Sequence, residues 1–392
     1  MSFYKTLAKI FLFFTILSIA ACTTSPPISQ TPAVAPNLTL AQKLQNTLDR
    51  IRENSDLKGV SAAIIMPNEG IWLGVSGMSD PTIEERINAE MLFDIASTGK
   101  NYLAALVLQL VEEGRFTLED PLSKWLPDYP NIDNNITIRQ LLNHTSGIYD
   151  FVKHAHSPFQ MVYKSTKIWT QEQILVELVG KPYFTPGNGW HYSTTNYILL
   201  RMIIEKAMGS KVAQEIENRF LIPLGLHSTI AVDPLEPIPR DVLIANNWIG
   251  DFVDLAPKPQ PWTATSPHLI YATAEDAARW MHFLYHEKKI LNRKSLEWML
   301  DFHSPAPGDP PISGYGLGVM FVDDKLAEKS FGVKGVRMWG HGGSTHGFRS
   351  IVMYLPDHGT TISVLVNQSD DAGLINIFAG LLKVIVNNFS KN

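Results

Sequence analysis

The order of apolar and polar residues predicts regular structure at both ends of this chain. Behind Thr39, apolar side chains recur every three or four positions in TLAQKLQNTLDRIRENS, which predicts an amphipathic helix with a threonine cap. The runs GVSAAIIM and IWLGVSGM follow, with PNEG between them, and its proline and glycine favour a turn that joins two antiparallel strands. The folded part of the chain therefore begins with a helix and a hairpin.

The C-terminal end mirrors this order. The strand-like runs FRSIVMYL and TTISVLVN flank the turn formers PDHG, and the apolar positions from Ala372 to Val386 predict a last helix. From about Leu118 to Leu291 the pattern is one of helix and loop with little strand character. We therefore expect an α+β fold: one antiparallel sheet flanked by the N- and C-terminal helices, a mostly helical inserted subdomain, and a cleft where the two meet.

The first residues have the pattern of an exported lipoprotein. Two lysines precede the apolar run Ile10 to Ala21, which is too short to span a bilayer but has the length of a signal's hydrophobic region. The run ends in IAAC, which resembles a bacterial lipobox and closes on Cys22, the only cysteine of the chain. We expect a signal peptide at 1–21, a lipidated Cys22 with a proline-bearing tether at 22–38, and the folded domain at 39–392.

The residue after the cysteine bears on location. It is Thr23, where aspartate would favour retention in the inner membrane, so we expect a periplasm-facing lipoprotein of the outer rather than the inner membrane. A stray cysteine beside a plain cleavage site is the alternative. With one cysteine, no intrachain disulfide can form, so export here implies an anchor and not a disulfide scaffold.

Composition narrows the function classes. The 392 residues are 45% hydrophobic and 18% charged, which is enough apolar material for a large core. A formal net charge of -5 leaves no basic footprint of the kind that nucleic acids or anionic membrane surfaces require. We expect a globular protein that meets the membrane through its lipid anchor and binds no nucleic acid.

Candidate chemistry lies in FDIASTGKNYLAALVLQLVEEG. Ser97 and Lys100 are three positions apart, so on a helix they share one face and the lysine can reach the serine hydroxyl. Burial would lower the lysine pKa and let it accept the serine proton. The expected burying stripe consists of Leu103, Leu106, Val107, Leu110 and Val111. The same spacing also occurs elsewhere in the chain, and a helix cap followed by a surface lysine is the commoner outcome.

Further motifs give this segment a context. FDIASTGK resembles the nucleophile segment of the serine β-lactamase and penicillin-binding protein family, in its branch of class C β-lactamases, D-alanyl-D-alanine carboxypeptidases and related esterases. The stretches LEDPLSKWLPDYP, ITIRQLLNHTSGI, PGNGWHYSTTNYILL, YGLGV and GHGGSTHGFRS follow in the family's order. The resemblance runs from about Gly59 to Asn367, and it implies a β-lactamase/DD-peptidase-like fold and an acyl-enzyme.

The resemblance also implies a second site element, Tyr-x-Asn. The segment that fits is Tyr192-Ser193-Thr194, in which Thr194 stands in place of the asparagine that holds a substrate's amide oxygen. Tyr192 would act as general acid and base, with its phenolate favoured if the Lys100 ammonium stays nearby. The literal match Tyr129-Pro130-Asn131 lies in a proline-rich loop and is rejected. A core tyrosine near a helix start is the alternative for Tyr192.

A third element of the family, Lys-Thr/Ser-Gly, corresponds here to His341-Gly342-Gly343, followed by Ser344. Gly343 would let a substrate backbone approach, and the amides of Ser97 and Ser344 would hold an oxyanion. The charge of His341 would depend on pH near neutrality. In this respect the chain resembles the peptidases and esterases of the family that have histidine at this position, whereas class C β-lactamases typically have lysine. The alternative for His341-Gly342-Gly343 is a turn at the end of a strand.

The expected function is that of a lipid-anchored serine hydrolase without metal or organic cofactor. The expected substrate is the D-alanyl-D-alanine end of a peptidoglycan peptide or a related D-amino-acid amide. An esterase or weak class C-like β-lactamase on the same site is one alternative, and a non-catalytic cell-envelope binding module is another. Arg337 and Arg349 flank the histidine segment and could pair with a substrate carboxylate, although surface roles are favoured.

Overall fold

An eight-stranded antiparallel sheet forms the centre of the molecule, in the order β3-β2-β1-β13-β12-β11-β10-β9. The computed structural model describes residues 38–67, 69–157, 169–233, 243–249, 252–254, 269–302 and 312–389. The expected signal peptide, Cys22 and all but the last residue of the tether lie outside the described residues. Residues Thr39–Asn392 make up one compact unit.

Thirteen strands occur in the described residues. In chain order they are β1 Gly59–Met66, β2 Gly70–Asp80, β3 Glu85–Arg86, β4 Phe93–Asp94, β5 Thr229–Val232, β6 Asn247–Ile249, β7 Phe252–Asp254, β8 Leu269–Ala272, β9 Gly314–Tyr315, β10 Met320–Val322, β11 Met338–Thr345, β12 Phe348–Leu355 and β13 Thr360–Val366. Beside the large sheet, β4, β8 and β5 form a three-stranded sheet, and β6 pairs with β7.

Eleven α-helices accompany these strands in the described part of the chain. They are α1 Leu40–Asn54, α2 Gly99–Glu112, α3 Ile138–Leu142, α4 Gln171–Glu177, α5 Thr195–Met208, α6 Val212–Ile216, α7 Ile222–Leu224, α8 Ala274–Met281, α9 Arg293–Met299, α10 Asp324–Phe331 and α11 Asp371–Phe389. Short 3-10 turns cover Ala96–Thr98, Leu122–Lys124 and Phe151–Lys153, and π-helical turns cover Glu217–Leu221 and His282–His286.

The terminal segments meet in the sheet, as the sequence predicts. Strand β1 pairs with β2 on one side and with β13 on the other, and Val60 lies opposite Val366. Helix α1 begins at the expected cap, where the Thr39 hydroxyl accepts the Gln42 N–H at 3.2 Å. The Gln42 side chain in turn accepts the Thr39 N–H at 2.9 Å, which completes a capping box.

Strand β1 separates two hydrophobic cores. All eight of its residues are buried, and alternate side chains point to opposite faces of the sheet. Ala62 and Ile64 belong to the core shared with α1 and α11. Ala63 and Ile65 belong to the larger core that contains α2, α5 and α8. The sheet is therefore covered by helices on both faces, and α2 lies inside the larger core.

Three details differ from the expected pattern. The segment 118–291 contains the four short strands β5 to β8. Strands of three or four residues are too short to show a clear alternation of apolar and polar positions. Helix α2 buries the expected Leu103, Leu106, Val107 and Leu110 and half-buries Val111, but it is also buried on its other sides, from Gly99 to Leu108. Helix α11 also extends beyond the expected limits at both ends. The boundaries of the helical subdomain stay a prediction.

Candidate active site

The chain reaches Ser97 through a turn with an unusual backbone conformation. Ala96 has a φ of 49°, in the left-handed region that residues other than glycine rarely adopt. Its N–H donates to the Asp94 Oδ1 at 2.7 Å. Burial raises the pKa of Asp94 to about 7, although this hydrogen bond opposes the rise. Asp94 therefore holds the turn that places Ser97 just before α2.

Lys100 is the group best placed to activate the serine. Its Nζ lies 2.9 Å from the Ser97 Oγ, in hydrogen-bond contact, and its side chain is 0% exposed. Burial lowers the pKa of Lys100 to about 7, while the nearby Asp150 carboxylate opposes this effect. A large fraction of Lys100 is therefore a neutral amine near pH 7, able to accept a proton. The expectation of a buried lysine beside Ser97 is confirmed.

Tyr192 lies beside this pair with its hydroxyl buried. The Lys100 Nζ is 5.0 Å from the centroid of the Tyr192 ring. The phenol makes no hydrogen bond of good geometry with the described residues, yet the Ser97 hydroxyl is close enough to lower its pKa. Burial is the larger effect and raises the pKa of Tyr192 above its usual value. The expectation of a favoured phenolate is wrong, because burial raises the pKa of Tyr192 more than the Ser97 hydroxyl lowers it.

Two buried residues fix the backbone around Tyr192. The His144 Nδ1 accepts the Ser193 N–H at 3.2 Å, and the Asp150 Oδ1 accepts the Thr194 N–H at 3.1 Å. Because the His144 Nδ1 is an acceptor, the proton of its neutral ring is on Nε2. Burial lowers the pKa of His144 well below its usual value, so the ring stays neutral.

Sequence reasoning gave His144 and Asp150 no role, although both lie in or next to the quoted run ITIRQLLNHTSGI. The signal available was a buried histidine and aspartate in a loop between predicted helices. Thr194 itself is half-buried and immediately precedes α5. Its role in binding substrate stays a prediction.

His341 is buried on β11 and held at both ring nitrogens. Its Nδ1 lies 2.6 Å from the Gly342 carbonyl oxygen, and its Nε2 lies 2.9 Å from the Tyr315 hydroxyl. A carbonyl only accepts, so Nδ1 carries the proton and Nε2 accepts from Tyr315. Burial and the charge of Lys100 lower the pKa of His341 to about 3. The expectation of a charge that varies near neutral pH is therefore wrong.

Gly342 and Gly343 of β11 have different surroundings, and those of Gly343 differ from the expected ones. A Cβ on Gly343 would lie 2.1 Å from the Ile95 carbonyl oxygen and 2.4 Å from the Ser350 Oγ. Glycine is required at Gly343 because the protein's own segment before Ser97 packs against the strand there. The approach of a substrate backbone, which the sequence predicts at this position, is not the reason for the glycine. A Cβ on Gly342 would meet only the Ser350 carbonyl oxygen, at 3.6 Å. Gly342 is the position that leaves open space.

Hydrogen bonds join the nucleophile segment to the sheet. The Ser350 Oγ donates to the Ile95 carbonyl at 2.7 Å and lies 2.9 Å from the Thr98 Oγ1. A cavity of about 600 Å³ is lined by residues from both segments, among them Ser97, Tyr192, Gly342, Gly343 and Ser344. Five of the expected site residues therefore line one cavity. Lys100 is not among the lining residues, but its Nζ contacts the Ser97 Oγ.

Other candidates have structural roles. The Asn131 side chain donates to the Val179 carbonyl at 2.9 Å, which agrees with the rejection of Tyr129-Pro130-Asn131. Arg337 pairs with Asp357 at 2.9 Å, and Arg349 pairs with Asp371 at 2.5 Å. Both arginines thus already have a carboxylate partner.

The sheet with its inserted helices and the Ser97–Lys100–Tyr192 cluster define a serine hydrolase of the β-lactamase and penicillin-binding protein fold. The family model described as Beta-lactamase matches residues 44–379. The chain therefore belongs to the Beta-lactamase family, which confirms the resemblance and the fold expected from the sequence.

Individual relatives differ in activity. Penicillin-binding protein 4* of Bacillus subtilis (strain 168) is 36% identical over 156 residues, which cover 39% of this chain and 33% of that protein. Esterase EstB of Burkholderia gladioli is 29% identical over 198 residues, 48% of this chain and 50% of the esterase. The chain thus spans between a third and a half of the length of these curated relatives.

A solved structure covers more of the fold. The D-amino acid amidase of Ochrobactrum anthropi SV3, in complex with L-phenylalanine, superposes with a TM-score of 0.76 at 25% identity. The match includes 89% of this chain and 99% of the amidase chain.

Proposed function

We propose that the protein hydrolyses amides of D-amino acids through an acyl-enzyme on Ser97. The observation that carries the proposal is the fully buried Lys100, whose amine contacts the Ser97 Oγ at 2.9 Å and whose pKa is about 7. A neutral amine in this position removes the serine proton without help from a metal or a histidine. The similarity to the D-amino acid amidase supports the substrate class.

Each proton in the proposed reaction is transferred by Lys100 or Tyr192. Neutral Lys100 takes the Ser97 proton while Oγ attacks the amide carbon, and the backbone amides of Ser97 and Ser344 hold the oxyanion. Tyr192 gives its proton to the leaving nitrogen and regains one from the Lys100 ammonium, so that the amine leaves and the acyl-enzyme remains. Water then attacks the ester, and its proton returns through Tyr192 and Lys100 as Ser97 is released.

Charge near β11 favours a leaving group without a carboxylate. The strand MWGHGGST carries His341 as its only ionisable side chain, and that ring is neutral above about pH 3. The flanking Arg337 and Arg349 are each paired with an aspartate. A substrate carboxylate would thus gain no free cation from this segment. This favours a D-amino-acid amide over the D-alanyl-D-alanine end of a peptidoglycan peptide.

The proposed location is the cell envelope, with Cys22 lipidated and the folded domain facing the periplasm. This rests on the charged and apolar pattern before Cys22. Cys22→Ala should move the protein from the membrane fraction to the soluble fraction of the host envelope. A variant that stays in the membrane fraction would contradict the anchor.

The direct test compares kcat/KM for D-phenylalanine amide, its L enantiomer, a peptide ending in D-alanyl-D-alanine and a chromogenic β-lactam. The proposal expects turnover of the D-amide, with the other three slower. Ser97→Ala should abolish turnover, whereas Ser123→Ala, at an exposed serine, should not. If Ser97→Ala keeps full activity, the nucleophile is wrong; if only the β-lactam or the peptide is cleaved, the substrate class is wrong.

An esterase is the second candidate, favoured by the similarity to EstB and by the neutral site. The two activities differ in what Tyr192 must do. An amine must be protonated to leave, whereas a nitrophenolate leaves without a proton. Tyr192→Phe should therefore lower amide hydrolysis more than hydrolysis of a p-nitrophenyl ester. A protein that cleaves neither, and whose Ser97 does not react with a sulfonyl fluoride, would instead be a binding module.

A further inference from the structure

The cavity at Ser97 continues past the edge of the sheet to its other face. Within the described residues, β10 pairs with β11 only from Met338 to Gly340. The following residues of β11 have no strand partner on that side in the described chain. The cavity of about 600 Å³ begins at Ser97 and Tyr192 and extends to residues of α10 and α11.

The far part of this cavity has an apolar wall. Helix α10 contributes Leu326 and Phe331, helix α11 contributes Leu374 and Ile375, and the sheet contributes Met320 and Ile351. Three of these are only half-buried, namely Met320, Leu326 and Ile375, so the wall offers apolar surface to whatever enters. Contact with an apolar group would remove that surface from water.

The charged residue that lines this cavity is already paired. Among the described residues that line the cavity, Asp371 carries the one formal charge, and it pairs with Arg349 at 2.5 Å. Arg349 also donates to the Phe348 carbonyl at 2.9 Å. A charged substrate group would therefore lose its hydration in this cavity without gaining a free partner.

Gly342 lines the cavity together with Ser97 and the apolar wall. Its missing side chain leaves open space, since an added Cβ would meet only the Ser350 carbonyl oxygen, at 3.6 Å. We propose that the cavity between α10, α11 and the free edge of β11 holds an uncharged apolar side group of the substrate, such as a phenyl or branched alkyl group. The volume lies in the range of about 300–1,000 Å³ that is usual for small-molecule sites. This inference rests on the proposed function for Ser97 as the nucleophile, and it adds the substrate's side group.

The test fills the cavity from α11. Ile375→Trp places a large ring in the cavity, and Asn376→Trp places the same ring on the next residue, which is exposed. The measured quantity is kcat/KM for D-phenylalanine amide divided by kcat/KM for D-alanine amide. The ratio should fall about tenfold or more in Ile375→Trp, because the larger side group loses its place. It should stay within twofold of the wild-type ratio in Asn376→Trp.

A second measurement does not depend on the substrate class. The rate at which phenylmethanesulfonyl fluoride modifies Ser97, divided by the rate for methanesulfonyl fluoride, should fall in Ile375→Trp by a similar factor. Thermal unfolding checks that each variant is folded. Unchanged ratios in a folded Ile375→Trp variant overturn the cavity assignment alone. If the wild type cleaves neither amide but the ratio of the two sulfonyl fluoride rates falls in Ile375→Trp, the proposed function is overturned and the cavity assignment is supported. No reaction at Ser97 overturns both.

Discussion

Burying Lys100 should reduce the stability of the folded protein, and Lys100→Met should recover it. Burial lowers the pKa of Lys100 from 10.5 to about 7. One pH unit corresponds to about 1.4 kcal/mol, so the ammonium costs the folded state about 5 kcal/mol when it is fully protonated. Methionine has a similar volume and no charge. At pH 6 the variant should therefore be several kcal/mol more stable than the wild type, although catalytically inactive.

The sign of the pH dependence follows from linkage. Between about pH 7 and 10.5 the unfolded lysine holds a proton that the folded one has lost, so stability contributed by this group rises with pH. The stability difference between Lys100→Met and wild type should shrink by about 1.4 kcal/mol for each pH unit above 7. Urea unfolding from pH 6 to pH 9 measures it, with Lys206→Met at an exposed position as control. A difference that does not change with pH would refute the reasoning.

Three further outcomes are expected. The kcat/KM of the wild type should rise with pH through about 7, because Lys100 must be neutral. The rise should persist in Asp94→Asn, which removes a second buried group whose pKa is about 7. Gly343→Ala should lower both activity and melting temperature, since its Cβ would lie 2.1 Å from a carbonyl oxygen, whereas Gly342→Ala should melt like wild type. Asp94→Ala should lose about 1–3 kcal/mol in urea unfolding, because the Ala96 N–H loses its buried acceptor; equal stability of Asp94→Ala and Asp94→Asn would contradict that role.

The elements with a strong local pattern could be predicted from the sequence. Helix α1 with its Thr39 capping box, the β1–β2 hairpin and the strand pair β12–β13 each show a clear period and a clear boundary. Ser97 and Lys100 were found because their helical spacing coincides with a segment, FDIASTGK, that resembles the family's nucleophile motif. The short strands β5 to β8 were missed, since a run of three or four residues gives no period.

What the sequence could not give depends on contacts between distant segments. The protonation of His341 follows from its burial beside Lys100, and nothing in HGGS reveals either. The different roles of Gly342 and Gly343 depend on which side of β11 the segment before Ser97 packs. The left-handed Ala96 needs the Asp94 side chain to hold it. The roles of Thr194 and Ser344 in binding, and of Cys22 in anchoring, stay predictions.

The pairing of β1 with β13 limits when the protein can fold during its synthesis. Val60 can meet Val366 only after all the residues between them have left the ribosome. The segment before Ser97 likewise needs Gly343 and Ser350 beside it, which come from the same late part of the chain. Contacts between residues so far apart in sequence close slowly and late in folding. A nascent chain that ends before β11 therefore has no assembled nucleophile, so hydrolytic activity requires the chain at least through Ser350 in β12.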